Sequence, residues 1–213
     1  MIGIIDYEAG NLTSVQRALT SLGVESVITG DKQVLARAEK IIFPGVGAAG
    51  KAMAGLMRLG LDQAILDAYR KGTPILGICL GTQIIMEYSD ENDTPCLGLI
   101  KGKVHRFQEG MIGEDGRVLK IPHMGWNRIE IKQSHPVFEG LDRTSEFYFV
   151  HAYYPAPTDP KNLLAETTHG KRFASALVSH NLLAFQFHLE KSGKPGLRVL
   201  SNFCRWNGNH RAQ

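Results

Sequence analysis

The stretch Pro74-Ile75-Leu76-Gly77-Ile78-Cys79-Leu80-Gly81 joins a short apolar run directly to the start of a helix, with a cysteine at the junction. Pro74–Ile78 has the length and composition of a buried strand, and Leu80–Tyr88 is predicted to be a helix. Glycines stand two residues before and two residues after Cys79. A strand that turns sharply into a helix crowds the neighbouring Cβ atoms, and glycine has none. The stretch therefore predicts a nucleophile elbow, with cysteine in the place of serine.

Such an elbow gives Cys79 properties that a core cysteine lacks. It places the sulfur at a helix N-terminus, where free N–H groups and the helix dipole favour the thiolate. Because a free cysteine with a pKa of about 8.5 is only a few per cent thiolate at neutral pH, this bias favours a nucleophilic role. A buried structural cysteine between two packing glycines is the alternative. Cys96 and Cys204 lack this context, and we expect both to be structural.

Around the elbow, the first half of the chain alternates strands with helices, whereas the second half has strands joined by turns. The predicted strands are Ile2–Asp6, Glu25–Ile28, Lys40–Phe43, Val104–Phe107, Trp126–Ile131, Glu146–His151, Leu163–Thr167, Arg172–Val178 and Leu182–Phe187. Further helices are predicted after a cap at Asn11 and over Ala48–Arg58, Leu61–Arg70 and Pro195–Trp206. The pattern predicts an α/β fold: a three-layer α/β/α sandwich whose mixed, largely parallel sheet has antiparallel additions in the second half. We expect one domain over residues 1–206 and a frayed tail over 207–213.

Composition excludes several classes of protein. With 213 residues, 43% of them hydrophobic, the chain is long enough to bury a core, and disorder is excluded. The 24 Lys and Arg against 21 Asp and Glu leave a net charge of +3, which gives no support for binding nucleic acid or a membrane. Three cysteines cannot form a disulfide framework and favour a reducing compartment, so we expect a cytoplasmic protein. Neither CxxC nor HExxH occurs, and no metal site is predicted.

The segment Phe187-His188-Leu189-Glu190 supplies a candidate base for Cys79. A thiolate nucleophile usually needs a base and a group that orients the base. In an extended chain, residues two apart face the same side, so Glu190 can hold the imidazole of His188. A histidine at a strand end with only a packing role is the alternative. A metal site here lacks a third local ligand.

Gly45-Val46-Gly47-Ala48-Ala49-Gly50 matches the GxGxxG pattern of dinucleotide-binding folds. That fingerprint also requires an acidic residue about 20 positions later at the end of a strand, whereas Asp62 and Asp67 fall in a predicted helix. The same loop could instead face Cys79 and supply N–H groups to an oxyanion, with the amide of Leu80 as a second donor. A module that binds NAD stays open as an alternative function.

With these residues in view, the chain resembles the class I glutamine amidotransferases over nearly its whole length. The shared motifs occur in the family's order. They are Asp6-Tyr7, Gly10-Asn11-Leu12, Pro44-Gly45-Val46-Gly47, Gly77-Ile78-Cys79-Leu80-Gly81-Thr82-Gln83, Pro122-His123-Met124-Gly125-Trp126-Asn127, Tyr148-Phe149-Val150-His151-Ala152-Tyr153-Tyr154 and Gln186-Phe187-His188-Leu189-Glu190-Lys191-Ser192-Gly193. The segments around Trp126 and His151 point, within the class, to the glutaminase subunits of histidine biosynthesis.

The resemblance implies a catalytic triad of Cys79, His188 and Glu190 that hydrolyses glutamine through a thioester, without a cofactor. It implies an oxyanion hole from the amides of Val46, Gly47 and Leu80. It implies a glutamine pocket formed by Gln83 together with the backbone of Gly47, Ala152 and Tyr153. Its implied partner is a (β/α)8-barrel cyclase that receives the ammonia and forms a heterodimer with the glutaminase. The implied residues of the interface and the ammonia passage are Asn11, Met124, Trp126 and Lys191.

Two positions depart from the family pattern. Leu189 replaces the proline usual between the histidine and the glutamate, which removes a restriction on His188 worth about 0.4–1 kcal/mol. Ala152 stands where serine is common, so a hydroxyl near the implied pocket is missing. Two further alternatives follow: a paralogue that supplies ammonia to another amidating synthase, such as one of surface-sugar synthesis, and a catalytically inactive regulatory subunit.

Overall fold

The computed structural model describes residues 1–8, 11–113 and 116–209. The strands are β1 (Ile2–Ile5), β2 (Ser26–Thr29), β3 (Lys40–Gly45), β4 (Ile75–Cys79), β5 (Met86–Ser89), β6 (Thr94–Pro95), β7 (Ile100–Arg106), β8 (His123–Arg128), β9 (Glu130–Ile131), β10 (Glu146–His151), β11 (Tyr153–Pro157), β12 (Leu163–His169), β13 (Lys171–Ser179) and β14 (Leu182–Phe185). The helices are α1 (Leu12–Ser21), α2 (Lys32–Arg37), α3 (Ala49–Leu59), α4 (Leu61–Lys71), α5 (Leu80–Ile84) and α6 (Gly193–Arg205).

The central sheet has the strand order β2-β1-β3-β4-β14-β13-β12-β9. The strands from β2 to β14 in this order are parallel. β13, β12 and β9 are added antiparallel. The predicted mixed sheet, with antiparallel additions from the second half of the chain, is confirmed. Because parallel strands end at the same edge, the carboxyl ends of β1, β3, β4 and β14 lie together, and this is the edge at which open α/β sheets bind ligands.

Helices cover both faces of the sheet, and each face has its own core. One face buries side chains of α1 and α6, among them Val15, Leu19, Val199 and Phe203. The other buries side chains of α2 to α5, among them Leu35, Leu56, Ile65 and Leu80. In β1, the successive residues Ile4 and Ile5 are both fully buried, one in each core. A central parallel strand needs apolar residues on both sides, which is why β1 is uniformly apolar. The predicted three layers are confirmed.

The predicted helix Leu80–Tyr88 is wrong in its second half. α5 ends at Ile84, and the chain continues as β5. β5 pairs in parallel with β7 and antiparallel with β6, in a separate sheet with the order β11-β7-β5-β6. Pairing of backbone groups in this sheet outweighs the local helical pattern, because intrinsic helix propensity is a weak preference.

The predicted strand Trp126–Ile131 is also wrong as a single element. Its residues divide between β8, which pairs antiparallel with β10, and β9, which lies beside β12. β8 and β10 form a two-stranded sheet of their own, the β8–β10 ribbon. Along β8 the side chains alternate: His123 is buried, whereas Met124 and Trp126 are 63% and 55% exposed. The ribbon therefore has one buried and one exposed face.

α2, β6 and β11 were not predicted from the sequence. For α2 a signal was present, since Asp31 caps the helix by accepting a hydrogen bond from the backbone N–H of Gln33 (2.8 Å). The single-domain boundary at residue 206 stays a prediction. In the expected tail, the carbonyl of Asn209 accepts a hydrogen bond from Nε1 of Trp206, and residues 210–213 lie outside the described part of the chain. Gly10 lies outside it as well. Within the described part, no helix combines the length and apolar character needed to cross a membrane.

Candidate active site

Cys79 ends β4, and α5 begins at the next residue. The backbone of Cys79 has φ 55° and ψ −107°, a conformation that residues with a Cβ rarely adopt. Such strain costs of order 1–3 kcal/mol and persists only where the surroundings impose it. A Cβ on Gly81 would lie 1.9 Å from the carbonyl oxygen of Phe43, and one on Gly77 would lie 3.2 Å from the backbone of Gly81. The elbow therefore needs both glycines, for the steric reason given by the sequence.

This crowding makes Gly81→Ala the substitution in the elbow that we expect to damage folding. The added methyl group meets a backbone carbonyl that cannot move aside, so the free energy of unfolding should fall by about 3 kcal/mol or more. Urea denaturation measures it. Gly72→Ala is the matched control, because Gly72 has φ 84° but open space around its Cβ position. That variant should lose only about 1–2 kcal/mol. Equal losses in the two variants would contradict the steric account of the elbow.

His188 and Glu190 come together through a turn. The extended chain that was predicted from the sequence for these residues is wrong. β14 ends at Phe185, and the backbone N–H of His188 donates to the carbonyl of Tyr148 (2.9 Å). Leu189–Lys191 then forms a 3-10 turn. This turn brings Oε1 of Glu190 to 2.7 Å from Nδ1 of His188. The side chains are only 2% and 1% exposed, so the pair is shielded from water.

The electrostatics of this pair favour a charged imidazole. Burial on its own lowers the pKa of His188, but hydrogen bonding and negative charge from Cys79 and Glu190 outweigh it and raise the pKa to about 10. Nε2 of His188 has no hydrogen bond of regular geometry within the described residues, although Cys79 is close enough to act on the ring's pKa. The surroundings of His188 therefore favour its imidazolium form, with Nε2 on the side of Cys79.

Leu189 takes over a structural role at the position where the family usually has proline. Its side chain is buried, with 1% exposure. His188 is extended, with φ −87° and ψ 103°. The hydroxyl of Ser192 donates to the carbonyl of His188 at 2.5 Å. Burial of Leu189 and this hydrogen bond hold the histidine in the conformation that a following proline would favour.

Asn11 does not cap α1 as predicted. It has φ 76°, and its side chain makes no capping hydrogen bond. Instead, Nδ2 of Asn11 donates to Oε1 of Glu190 at 2.5 Å. The same oxygen accepts from His188, while Oε2 has no partner within the described residues. Two donors therefore fix one carboxylate oxygen, and Asn11 is the donor that lies outside the predicted triad.

The loop after β3 lies beside the nucleophile. Gly45 pairs with Cys79 in the parallel register, and Val46 and Gly47 follow directly. Val46 is 39% exposed, and Gly47 has φ 105° with open space around its Cβ position. Leu80, across the elbow, is the first residue of α5. The three residues predicted to supply oxyanion donors thus lie around Cys79. A cleft of about 390 Å³ adjoins the loop, and its lining includes Tyr7, Val46, Gly47, Lys51 and Arg58.

The same loop argues against dinucleotide binding. In the dinucleotide fold, the pyrophosphate lies at the N-terminus of the helix that follows the glycines. Here that helix is α3, and the backbone N–H of Ala49 donates to Oε2 of Glu91 (2.7 Å). A carboxylate of the chain itself occupies the position, and its negative charge would repel a phosphate.

Of the predicted glutamine-binding residues, Gln83 contacts Tyr153 directly, whereas Gly47 lines the cleft beside the loop after β3. Gln83 is 5% exposed, and its Nε2 donates to the carbonyl of Tyr153 (3.0 Å) and to Oε1 of Gln186 (3.1 Å). Ala152 precedes Tyr153, and its carbonyl accepts from the backbone N–H of Phe107 (3.0 Å). The wall formed by residues 152–153 is therefore fixed from two sides.

Gln186 is a candidate site residue to which no role was assigned from the sequence. It is fully buried, and its Nε2 lies 3.9 Å from the sulfur of Cys79. The available signal was a polar residue in an apolar run, two positions before His188. Residues two apart in an extended segment share a face, so a polar side chain there points toward the same site.

The other two cysteines differ from Cys79 chemically. All three are free thiols. Burial raises the pKa of Cys96 to about 11, and it does the same for Cys204. Both thiols therefore stay protonated at neutral pH, as expected for structural cysteines. Within residues 1–8, 11–113 and 116–209, no cluster of three or more His, Cys, Asp or Glu side chains could hold a metal ion.

Comparison with known proteins identifies this arrangement. The family model described as "Glutamine amidotransferase class-I" matches residues 3–206. The chain belongs to the class I glutamine amidotransferases. The imidazole glycerol phosphate synthase subunit HisH of Maridesulfovibrio salexigens is 51% identical over 206 residues, which cover 97% of each chain. The subunit HisH of Neisseria meningitidis is 44% identical, over 95% of this chain and 98% of its own.

A solved structure agrees with the fold of this amidotransferase. It is that of PurLQS from Thermotoga maritima, with a TM-score of 0.73 and 19% identity. The alignment covers 96% of this chain and 97% of that one. At this level of identity, the likeness concerns the fold alone.

The predicted interface residues of this amidotransferase lie near its predicted triad. The rings of Trp126 and Tyr148 contact edge to face with centroids 6.0 Å apart, and Nζ of Lys191 lies 6.0 Å from the centroid of Tyr148. Met124 is exposed on the same strand as Trp126. Asn11 bonds to Glu190, the neighbour of Lys191. The four residues therefore lie around the edge of the sheet at which Cys79, His188 and Glu190 are found.

The Asn11–Glu190 hydrogen bond leads to a prediction for this amidotransferase. Asn11→Leu keeps the side-chain size but removes the donor, so Oε1 of Glu190 keeps only one of its two hydrogen bonds. Because Glu190 is then held less firmly, kcat for glutamine hydrolysis should fall about tenfold. Steady-state measurement of glutamate release tests this. Asn92→Leu is the control, because Asn92 is exposed and also has a positive φ of 58°. An unchanged kcat in Asn11→Leu would show that His188 orients Glu190 without help.

Proposed function

We propose that the chain is the glutaminase subunit of an imidazole glycerol phosphate synthase. It hydrolyses L-glutamine to glutamate and passes the ammonia to a cyclase subunit. One observation carries the chemistry: the buried His188–Glu190 pair, with its 2.7 Å hydrogen bond, lies beside a cysteine in a nucleophile elbow. The choice of synthase is supported by the relatives named as its HisH subunit, at 51% and 44% identity over nearly the full length.

The proposed reaction begins with Cys79 as thiolate and His188 as imidazolium. The sulfur attacks the side-chain amide carbon of glutamine, and the proton on Nε2 of His188 passes to the amide nitrogen. The C–N bond breaks, ammonia leaves, and a C–S bond holds the glutamyl group as a thioester. His188 then takes a proton from water, the oxygen of which attacks the thioester. Glutamate leaves, and the thiolate and imidazolium are restored. Glu190 keeps the imidazole oriented through both steps.

Two further groups of residues have proposed roles in this reaction. The amides of Val46, Gly47 and Leu80 stabilise the oxyanion that forms in each step, and one such donor is typically worth about 3 kcal/mol of barrier. The substrate glutamine binds between Gln83 and the backbone of Gly47 and of residues 152–153. Ala152 offers no hydroxyl, so at this position only backbone groups can hold the substrate.

The proposed partner is a (β/α)8-barrel cyclase in a heterodimer with this chain. The exposed face of the β8–β10 ribbon, with Met124 and Trp126, would contact it, together with Asn11 and Lys191. Ammonia released at Cys79 would pass through this interface to the cyclase. The cyclase would use it to make imidazole glycerol phosphate and aminoimidazole carboxamide ribotide. We place the complex in the cytoplasm, where three free thiols stay reduced.

The test measures glutamate release from glutamine by the pure chain, alone and with the cyclase and its nucleotide ligand. We expect a large increase when both are added, because the resemblance to the family implies a glutaminase that stays weak until the cyclase binds. Cys96→Ser is the matched control, since Cys96 is a protonated thiol outside the proposed triad and pocket, and it should leave turnover unchanged.

Other results would change the proposal in defined ways. Turnover that depends on Cys79 but does not respond to this cyclase would indicate a paralogue that serves another synthase, for example in surface-sugar synthesis. A stable complex with the cyclase but no glutamate release would indicate an inactive regulatory subunit.

A further inference from the structure

A series of hydrogen bonds connects side chains of the β8–β10 ribbon to the backbone carbonyl of Tyr153. Nδ2 of Asn127 lies 3.2 Å from Nε2 of His123. Nδ1 of His123 lies 3.0 Å from Nε2 of His151. Nδ1 of His151 lies 2.7 Å from the carbonyl oxygen of Tyr153. His123 and His151 are 4% and 5% exposed and sit opposite each other in the register of the ribbon. We call this series the histidine relay.

The direction of every bond in the relay is determined by its last acceptor. A carbonyl oxygen only accepts, so Nδ1 of His151 must carry a proton and donate. A neutral His151 then has a bare Nε2, which accepts from Nδ1–H of His123. His123 in turn has a bare Nε2, which accepts from the amide of Asn127. Both rings must be neutral, because a second proton on either would place two donors face to face. Burial lowers the pKa of His123 and of His151 to about 3, in agreement with this.

The relay continues into the proposed glutamine pocket. The carbonyl of Tyr153 accepts from His151 and also from Nε2 of Gln83. Gln83 in turn contacts Gln186, whose Nε2 lies 3.9 Å from the sulfur of Cys79. One carbonyl oxygen is thus shared between the relay and the pocket, and its position sets where the amide of Gln83 lies.

The other end of the relay belongs to the ribbon. His123 and Asn127 are on β8, and their neighbours Met124 and Trp126 form its exposed face. The ring of His123 is held on both sides, stacked on Phe149 (centroids 4.8 Å) and on His169 (4.1 Å). A displacement of β8 therefore cannot leave the relay unchanged.

We propose that His123 and His151 are positioning residues of the glutaminase site. They fix the carbonyl of Tyr153, and so the wall that binds the substrate glutamine. They also connect this wall rigidly to the ribbon. The proposal rests on the proposed function and deepens it, because it names residues that act on substrate binding without touching the reacting atoms.

Two substitutions of His123 separate its hydrogen bonds from its packing. His123→Phe keeps the stacking on Phe149 and His169 but removes the donor to His151. His123→Asn loses part of the stacking but keeps an amide donor in the place of Nδ1. If the relay positions the pocket, His123→Phe should raise KM for glutamine about tenfold with a smaller effect on kcat, and His123→Asn should restore KM. A merely structural role would show the reverse order, with the larger loss in the asparagine variant.

His169→Phe is the matched control. His169 stacks on the same ring, but its own hydrogen bond runs to the carbonyl of Lys120 (3.1 Å), away from the pocket. We expect its KM to equal that of the wild type. Thermal unfolding of each variant shows whether it is folded at the assay temperature. A folded His123→Phe variant with an unchanged KM overturns the proposal.

A measurement on the wild-type chain covers the case in which His123→Phe does not fold. Long-range proton–nitrogen NMR spectra of chain labelled with ¹⁵N-histidine report which ring nitrogen carries the proton. We expect His123 and His151 to be neutral and protonated on Nδ1 at pH 7. A proton on Nε2 of either ring overturns the proposal. Failure of the proposed function gives a different result from failure of the relay. If the proposed function is wrong, the wild type hydrolyses no glutamine with or without the cyclase. The NMR spectra still show whether the relay exists.

Discussion

Cys79→Ala should reduce glutamine hydrolysis by at least about four orders of magnitude, in the presence and absence of the cyclase. The variant lacks the atom that forms the thioester, and no other thiol can substitute. Cys96 and Cys204 have a pKa of about 11 and stay protonated at neutral pH. The fold should persist, because alanine has the same Cβ as cysteine and imposes no new strain at φ 55°. Glutamate release measures the activity, and urea denaturation the stability.

Cys204→Ala provides the comparison for this prediction. It removes a thiol of the same size from α6 and should leave turnover at the wild-type rate. Residual hydrolysis above about 0.01 per cent of the wild-type rate in Cys79→Ala would mean that water attacks glutamine directly, and the elbow would then have another role.

His188→Asn is expected to have the second largest effect, a fall in kcat of about a thousandfold. The amide of asparagine can replace Nδ1 as donor to Glu190, but nothing replaces Nε2, which protonates the leaving ammonia. The charge of Glu190 thus keeps a partner, and the variant should fold. Burst kinetics separate the two steps, since loss of the proton donor should slow the formation of the thioester. A variant with normal thioester formation and slow release of glutamate would restrict His188 to the hydrolytic step.

The same substitution makes a prediction for stability. The folded-state pKa of His188, about 10, lies above the ordinary value of 6.5. A group of this kind stabilises the folded state fully below pH 6.5, and the contribution is lost as the pH rises through 10. The free energy of unfolding of the wild type, relative to His188→Asn, should therefore decrease between pH 6.5 and pH 10. A difference that is constant over this range would contradict an imidazolium in the folded state.

The parts of the site that the sequence predicts are those with local causes. Gly77, Cys79 and Gly81 fall within five residues, and the steric conflict that they relieve lies in the same turn. His188 and Glu190 are two residues apart, so their contact could be predicted even though a turn and not a strand produces it.

The missed features depend on partners far away in the chain. Asn11 looks like a helix cap until Glu190, 179 residues later, is brought against it. β5 follows a helical pattern, but its conformation depends on pairing with β7. The two histidines of the relay lie 28 residues apart, on strands whose register the sequence does not reveal. Local patterns carry no information on such long-range contacts. For this reason the elbow and the His188–Glu190 pair were predictable, and the contacts that support them were not.

The backbone conformation of Cys79 sets catalytic activity against folding stability. At φ 55° a glycine would remove strain of order 1–3 kcal/mol, so the most easily reached improvement in folding at this position eliminates the nucleophile. If glutamine hydrolysis were not required, we expect replacement of Cys79 by glycine to be favoured, because it raises stability and its loss of activity has no consequence. A nucleophile at this strand–helix junction therefore comes with a loss of folding stability that no other side chain with a Cβ would avoid.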